Sequence, residues 1–317
     1  MKFFKKISFI GLTLIVSIVL YLFTIGQFYS PDFAIPENAA GKHVIINDMK
    51  IRYYQTGQGK DIIFLHGGMG SVEDFEPLYS ALKNRYRMTS FDRPGYGYSE
   101  IKNSAYTLDT SSDIIRQLIK KLNLKNPVIF GHSHGGAIAL NLAVQNPKDI
   151  KGYILLAPAA YYYERFEKIV NSVPMRLLRI PGINTGIAQT IGPLVGDKMI
   201  EETLQRMIVD PDKFPGDFIS MRQKLWNKPV STVTRARQLS AFSKDIQSIS
   251  KNYSVIQSPV LVVRGENDSF EVNDGSEKLR KTVKNIQLRV IPKSGHYSQF
   301  DATSDVVQAI DAFMSKI

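Results

Sequence analysis

Val128-Ile129-Phe130-Gly131-His132-Ser133-His134-Gly135-Gly136-Ala137-Ile138-Ala139-Leu140 decides how this chain is read. The apolar run 128–130 predicts a buried strand, and the Ala-rich stretch 137–145 predicts a helix. Between them stands G-x-S-x-G. Strand, G-x-S-x-G, helix is the context in which a serine sits on a sharp, strained turn with its hydroxyl lifted above the end of a sheet. The flanking glycines let strand and helix approach without a Cβ clash.

A serine hydroxyl is a poor nucleophile at neutral pH and needs a base, and the base needs an orienting carboxylate. The chain has five histidines. His132 and His134 flank the serine, His43 lies in an early strand-like run, and His66 belongs to a glycine-rich loop. His296 follows the strand-like run Gln287-Leu288-Arg289-Val290-Ile291 and is the candidate base. In the order Ser, acid, His, the acid lies between them. Asp268 fits best, in the loop after Pro259-Val260-Leu261-Val262-Val263, with Glu266 the alternative and Asp245 a distant third. Backbone donors for an oxyanion are expected from Asp61-Ile62-Ile63-Phe64-Leu65-His66-Gly67-Gly68-Met69-Gly70-Ser71. Gly68 is the first choice there, Met69 the alternative, and the N–H of His134 the second donor. No G-K-[ST] follows these glycines, which excludes a P-loop. His66 is expected to hold the loop.

With Ser133, Asp268, His296 and the His66-Gly67-Gly68 loop in place, the chain resembles the α/β-hydrolases, serine hydrolases with a cap domain. Phe91-Asp92-Arg93-Pro94-Gly95-Tyr96-Gly97-Tyr98-Ser99 adds a turn similar to the family's D-x-x-G-x-G-x-S. The resemblance covers residues 42–317. It implies an eight-stranded, mostly parallel sheet flanked by helices, and the apolar runs agree: 43–46 and 51–54 as an opening antiparallel pair, then 62–65, 88–91, 128–130, 153–156, 260–263 and 287–291. Helices are expected over 72–84, 111–122 and 137–145, the second capped by Asp109 or Thr110.

Residues 157–258 have another texture. Proline and glycine at Val173-Pro174-Met175 and Ile180-Pro181-Gly182 interrupt them, and 199–209 and 218–226 look amphipathic and helical. Similar hydrolases place a helical cap here, at about 158–250. Met69, Tyr161, Tyr162, Met175, Met221 and Trp226 are then candidates for lining an apolar substrate pocket.

The N-terminus carries a separate message. A basic tip, 1–6, with Lys2, Lys5 and Lys6, precedes Ile7–Gln27, which holds no charged residue. As a helix this segment spans on the order of 30 Å, enough for a hydrocarbon core. Residues 7–28 are therefore expected to form a transmembrane signal anchor, and 29–41 a tether to the hydrolase domain. A cleaved signal peptide is the rival reading, but the apolar run is long and Ile25-Gly26-Gln27-Phe28-Tyr29 has no small-x-small site. With no cysteine in the chain there is no lipoprotein anchor. The lysines place the N-terminus in the cytoplasm and the hydrolase domain outside.

The net charge of +11 comes from scattered lysines and arginines, without an aromatic-interleaved basic stripe, which argues against a nucleic-acid partner. A solvated surface beside anionic lipid headgroups accounts for it. There is no metal-ligand spacing and no nucleotide fingerprint, so no cofactor is expected. Ser in place of Asp at the elbow argues against the dehalogenase and epoxide-hydrolase branches. Met69, where proline-iminopeptidase-like enzymes have H-G-G-P-G, weakens an aminopeptidase reading without removing it. The sequence thus points to cleavage of a carboxylic ester in a small-molecule or lipid-like acyl substrate. A peptidase or amidase, a carbon–carbon bond hydrolase of the same fold, and a catalytically vestigial binding or sensor protein are the alternatives.

Overall fold

The computed structural model describes residues 2–102 and 106–317, with side chains from residue 10 onward; Met1 and the tip's lysine side chains lie outside the described residues. The sheet has eight strands: β1 Lys42–Ile46, β2 Met49–Gly57, β3 Lys60–Leu65, β4 Tyr86–Phe91, β5 Val128–His132, β6 Gly152–Leu156, β7 Val260–Gly265 and β8 Ile286–Ile291. Their order is β1-β2-β4-β3-β5-β6-β7-β8. Pairing is antiparallel for β1–β2 and β2–β4 and parallel elsewhere.

The helices are α1 Lys2–Gln27, α2 Glu76–Leu82, α3 Leu108–Lys121, α4 His134–Val144, α5 Glu164–Val170, α6 Val173–Leu177, α7 Asn184–Met207, α8 Phe218–Trp226, α9 Pro229–Ile249, α10 Phe270–Thr282, α11 Ser298–Asp301 and α12 Thr303–Met314.

Period-two side-chain geometry divides the core. Ile63, Leu65, Ile129, Tyr153, Leu155, Val260 and Val262 face α3 and α4. Their neighbours Ile62, Phe64, Val128, Phe130, Ile154, Leu156, Leu261 and Val263 face α2 and α12. Strands covered on both faces read as unbroken apolar runs, which is why they stand out in the sequence.

Three helices differ from expectation. The stretch 72–84 begins as a 3-10 turn, Val72–Phe75, and becomes α-helical at Glu76, where Pro77 lacks an N–H that the first turn does not need. The second helix starts at Leu108, and its cap is Thr107 instead of Asp109 or Thr110. Thr107 Oγ1 accepts the Thr110 N–H at 3.1 Å, and Thr110 returns the bond to the Thr107 N–H. The amphipathic 199–209 is only the end of α7, which runs on through Gly186, Gly192, Pro193 and Gly196.

The chain reverses direction across the sheet between β4 and β5, so β3 and β5 become neighbours, with Leu65 paired to Gly131. Loops leaving their carboxyl ends meet at that switch point, where open α/β sheets bind ligands. Helices α5 to α9 all lie between β6 and β7.

Candidate active site

Ser133 is the single residue between β5 and α4. Its φ of 52° and ψ of −114° place a non-glycine residue in the strained left-handed half of backbone space. The surroundings hold it there. Its N–H donates to Leu156 O at 2.9 Å, and its carbonyl accepts the Gly136 and Ala159 N–H groups at 2.9 and 3.0 Å. A Cβ at Gly131 would collide with Gly135 O, and one at Gly135 with Leu65 O. The flanking glycines are there because strand, helix and the neighbouring β3 come this close. The Ser133 side chain caps nothing. His134 opens α4, where the first N–H groups of a helix have no partner inside it.

Asp268 and His296 come together from the ends of β7 and β8. His296 Nδ1 lies 3.0 Å from each Asp268 oxygen, with side-chain exposures of 13% and 2%. Burial works against an imidazolium, but the Asp268 charge and hydrogen bond outweigh it and hold the His296 pKa above the ordinary value. Burial pushes Asp268 up in turn, and the His296 charge and hydrogen bond, with a bond from the Ser269 N–H, bring it below the ordinary carboxylate range. Glu266 instead accepts the Lys293 N–H at 3.4 Å, and Asp245 accepts the Leu108 N–H at 2.9 Å, so neither alternative acid is bonded to His296.

His132 ties the histidine to the elbow. Its Nε2 donates to His296 O at 2.9 Å, and the two rings lie 4.9 Å apart. Burial, reinforced by the His296 charge, drives the His132 pKa down to about 3, so it stays neutral.

The glycine-rich loop closes the other side. A Cβ on Gly67 would lie 3.2 Å from both Ser133 Cβ and His132 Nδ1. Gly68 is exposed with open space around it, and Met69, with φ 58°, turns back into the interior. His66 fixes this loop, as its sequence position suggests. Its Nε2 accepts the Arg93 N–H at 2.8 Å, so Nδ1 carries the proton and donates to Gly67 O at 2.9 Å. Burial, and then the Arg93 charge, keep this ring neutral. Asp92 binds the loop from behind, accepting the Val72 and Tyr98 N–H groups at 2.9 and 2.8 Å and pairing with Arg52 at 3.2 Å.

Residues 61–303 match the α/β-hydrolase fold family. The chain belongs to it. This α/β-hydrolase is 26% identical over 263 residues to the AB hydrolase superfamily protein YisY of Bacillus subtilis, covering 81% of this chain and 92% of that one. It is 25% identical to a 2-hydroxy-6-oxo-6-phenylhexa-2,4-dienoate hydrolase of Burkholderia cepacia, over 84% and 93% of the two chains. A crystal structure of a bacterial membrane phospholipase A superposes with a TM-score of 0.70 at 17% identity, covering 100% of this chain and 99% of that one. The protein is an enzyme of the hydrolase class.

The hydrolase's six pocket candidates do not share one space. Met69, Met221 and Trp226 gather with Tyr297, the neighbour of His296, and with Phe214, Phe218 and Phe300. Tyr161 and Tyr162 instead pack on the core beneath α4 and α9, with the Tyr161 ring 5.4 Å from Tyr253. Met175 packs against a third cluster, Leu178, Ile187, Ala188, Val233 and Ala236, on which Leu22 of α1 also rests.

Sequence reading missed the polar bonds that seat the insertion. Arg222 of α8, fully buried, reaches Ser71 Oγ at 2.6 Å and pairs with Asp74, just beyond the glycine-rich loop. Burial raises Asp74 to about 6 despite that arginine. Met207 O, at the end of α7, accepts the His296 N–H at 2.8 Å, and Asp301 accepts the Gly295 N–H at 2.7 Å and the Val209 N–H at 3.1 Å. Arginine and aspartate in amphipathic helices read as surface residues; only the packed insertion buries these.

Proposed function

We propose that this protein is a membrane-anchored serine hydrolase that cleaves a carboxylic ester through an acyl-enzyme. The observation that carries the reading is the Asp268–His296 pair at 3.0 Å, held by His132 against the strained Ser133 elbow. Ser133 Oγ attacks the ester carbonyl as His296 Nε2 takes its proton. Asp268 keeps the proton on Nδ1 and stabilises the imidazolium. The N–H groups of Gly68 and His134 hold the oxyanion, Gly68 being next to the residue that abuts Ser133. Collapse expels the alcohol, which takes the proton from His296. Water then repeats the sequence on the acyl-enzyme and releases the acid. Helices α5 to α9 act as the lid, and the aromatic cluster around Tyr297 with Met69, Met221 and Trp226 suits an apolar acyl group.

The anchor in this reading is α1. Ile10–Gln27 is long and apolar enough to cross a membrane. By the positive-inside rule, Lys2, Lys5 and Lys6 support a cytoplasmic start for α1 and a hydrolase domain on the far side.

Fluorophosphonate labelling of the full chain in detergent, followed by hydrolysis of acyl esters of graded length, tests the chemistry. Wild type is expected to label and turn over. Ser133→Ala is expected to do neither, with turnover falling by on the order of 10⁴-fold or more. A folded wild type that neither labels nor hydrolyses any ester would point to a binding protein on the same fold.

A further inference from the structure

Among the described residues, α6 and α7 carry an exposed apolar face beside the one they pack inward, and its place is set by α1. The last turns of α1 cross the start of α7 at backbone distance. A Cβ on Gly186 would strike Leu22 O, one on Gly26 would lie 3.1 Å from Gly186 N, and one on Gly182 would lie 3.1 Å from the Phe23 ring. Leu22, Met175 and Ile183 pack against the same apolar cluster, which includes Leu178, Ile187 and Ala188. The tether adds restraint, since Lys228 Nζ donates to Asp32 O at 3.2 Å and Arg52 Nε to Ala40 O at 3.0 Å. The insertion and the end of the anchor are one packed unit.

That contact sets a depth. Leu22 is five residues before the end of α1 at Gln27, about 7 Å along the axis. When α1 spans the bilayer, the start of α7 therefore sits at the depth where interfacial helices bury their apolar faces, roughly 5–10 Å into the headgroup/acyl boundary. The surface exposed there is apolar. Val173, Leu177 and Ile180 are 68, 39 and 43% exposed, and Ile191, Leu194 and Val195 on one face of α7 are 51, 80 and 47% exposed. Water is a poor neighbour for so much aliphatic surface in one place. The charge pattern matches an anionic partner: between Glu167 and Asp197 stand Lys168, Arg176 and Arg179 and no acidic residue.

We infer that the α6–α7 face of the insertion docks on the outer surface of the bilayer that α1 crosses, seated in the headgroup region of anionic lipids. This inference rests on the reading of α1 as the anchor. It brings the lid over Ser133 into contact with lipid, so that an acyl substrate reaches the site from the membrane rather than from bulk water.

The absence of cysteine allows a direct test. The full chain, reconstituted in phosphatidylcholine–phosphatidylglycerol vesicles, carries single NBD-labelled cysteines at Leu194→Cys, Val173→Cys, Leu14→Cys in the span, and Lys284→Cys at the opposite end of the sheet. Leu194 and Val173 are expected to show blue-shifted emission that shallow doxyl-labelled lipids quench and iodide does not. Leu14 is expected to be quenched by deep doxyl groups, and Lys284 by iodide alone. Leu14 in lipid with Leu194 and Val173 open to iodide would overturn the docking and leave the anchor standing. Leu14 open to iodide would overturn both. Leu194 and Val173 shielded from iodide and from doxyl lipid alike would mean that a second copy of the chain covers this face, and would overturn the lipid docking.

Discussion

His296 Nδ1 sits 3.0 Å from both carboxylate oxygens of Asp268, a symmetric arrangement made by loops from two adjacent strands, β7 and β8. A symmetric carboxylate both orients the imidazole and favours its charged form. The His296 pKa accordingly lies above the ordinary imidazole value. In the proposed mechanism His296 is the base and works when deprotonated, so kcat/KM is expected to rise with pH through an apparent pKa above about 6.5. Asp268→Asn removes both contributions that raise this pKa and leaves burial, which lowers it. The acidic limb should then move to lower pH, while kcat falls by about 10⁴-fold because the wrong tautomer is favoured. A pH–rate profile of both proteins on one ester checks the sign; an unmoved limb would mean that it reports another group.

The two motif glycines make a separate prediction. Gly135→Ala pushes a methyl group into Leu65 O on the neighbouring strand, backbone against side chain, where nothing flexible can yield. A loss of stability on the order of 3 kcal/mol is expected, read from denaturant unfolding, together with loss of fluorophosphonate labelling. Gly68→Ala, in open space, should leave stability nearly unchanged.

Arg222 and Asp74 form a buried pair that joins the insertion to the glycine-rich loop. Removing one partner leaves an uncompensated buried charge, so Arg222→Ala is expected to cost about 3–5 kcal/mol. Arg222→Met with Asp74→Leu, which removes both charges, should recover most of that. Calorimetry of the single and double variants separates the two outcomes.

Anchoring by α1 predicts that the full chain stays in the membrane pellet after alkaline carbonate extraction. Leu14→Arg with Ile18→Arg puts two charges near the centre of the span, each costing roughly 2.5–3.5 kcal/mol for insertion, and is expected to release the protein. Intact mass of the membrane-bound protein distinguishes an uncleaved anchor from a removed signal peptide.

Much of this molecule was legible in its sequence because the information is local. Each strand is buried on both faces, so its apolar run is complete within itself. Gly131, Ser133 and Gly135 stand within one turn, and their steric reason is the same wherever that turn occurs. The order Ser133, Asp268, His296 and the glycine-rich loop at 66–71 follow from the ends of strands that the eye can count. Residues close in sequence could not do the rest. Asp268 stands out from Glu266 and Asp245 only once β7 and β8 are paired and their loops face each other. Tyr161, Tyr162 and Met175 part from Met69, Met221 and Trp226 because the insertion packs in one place on the core under α4 and in another beside α1, where Gly186 lets α7 come within backbone distance of Leu22. Arg222 and Asp74 looked like solvated charges until the insertion closed over them. Strand and elbow are set by neighbours a few residues away, Gly131 facing Gly135 across the turn, while Gly135 itself answers to Leu65 of β3. Which carboxylate meets the histidine, which side chains share a space and which charges lose their water are set by contacts between segments far apart in the chain, and only packing brings those together.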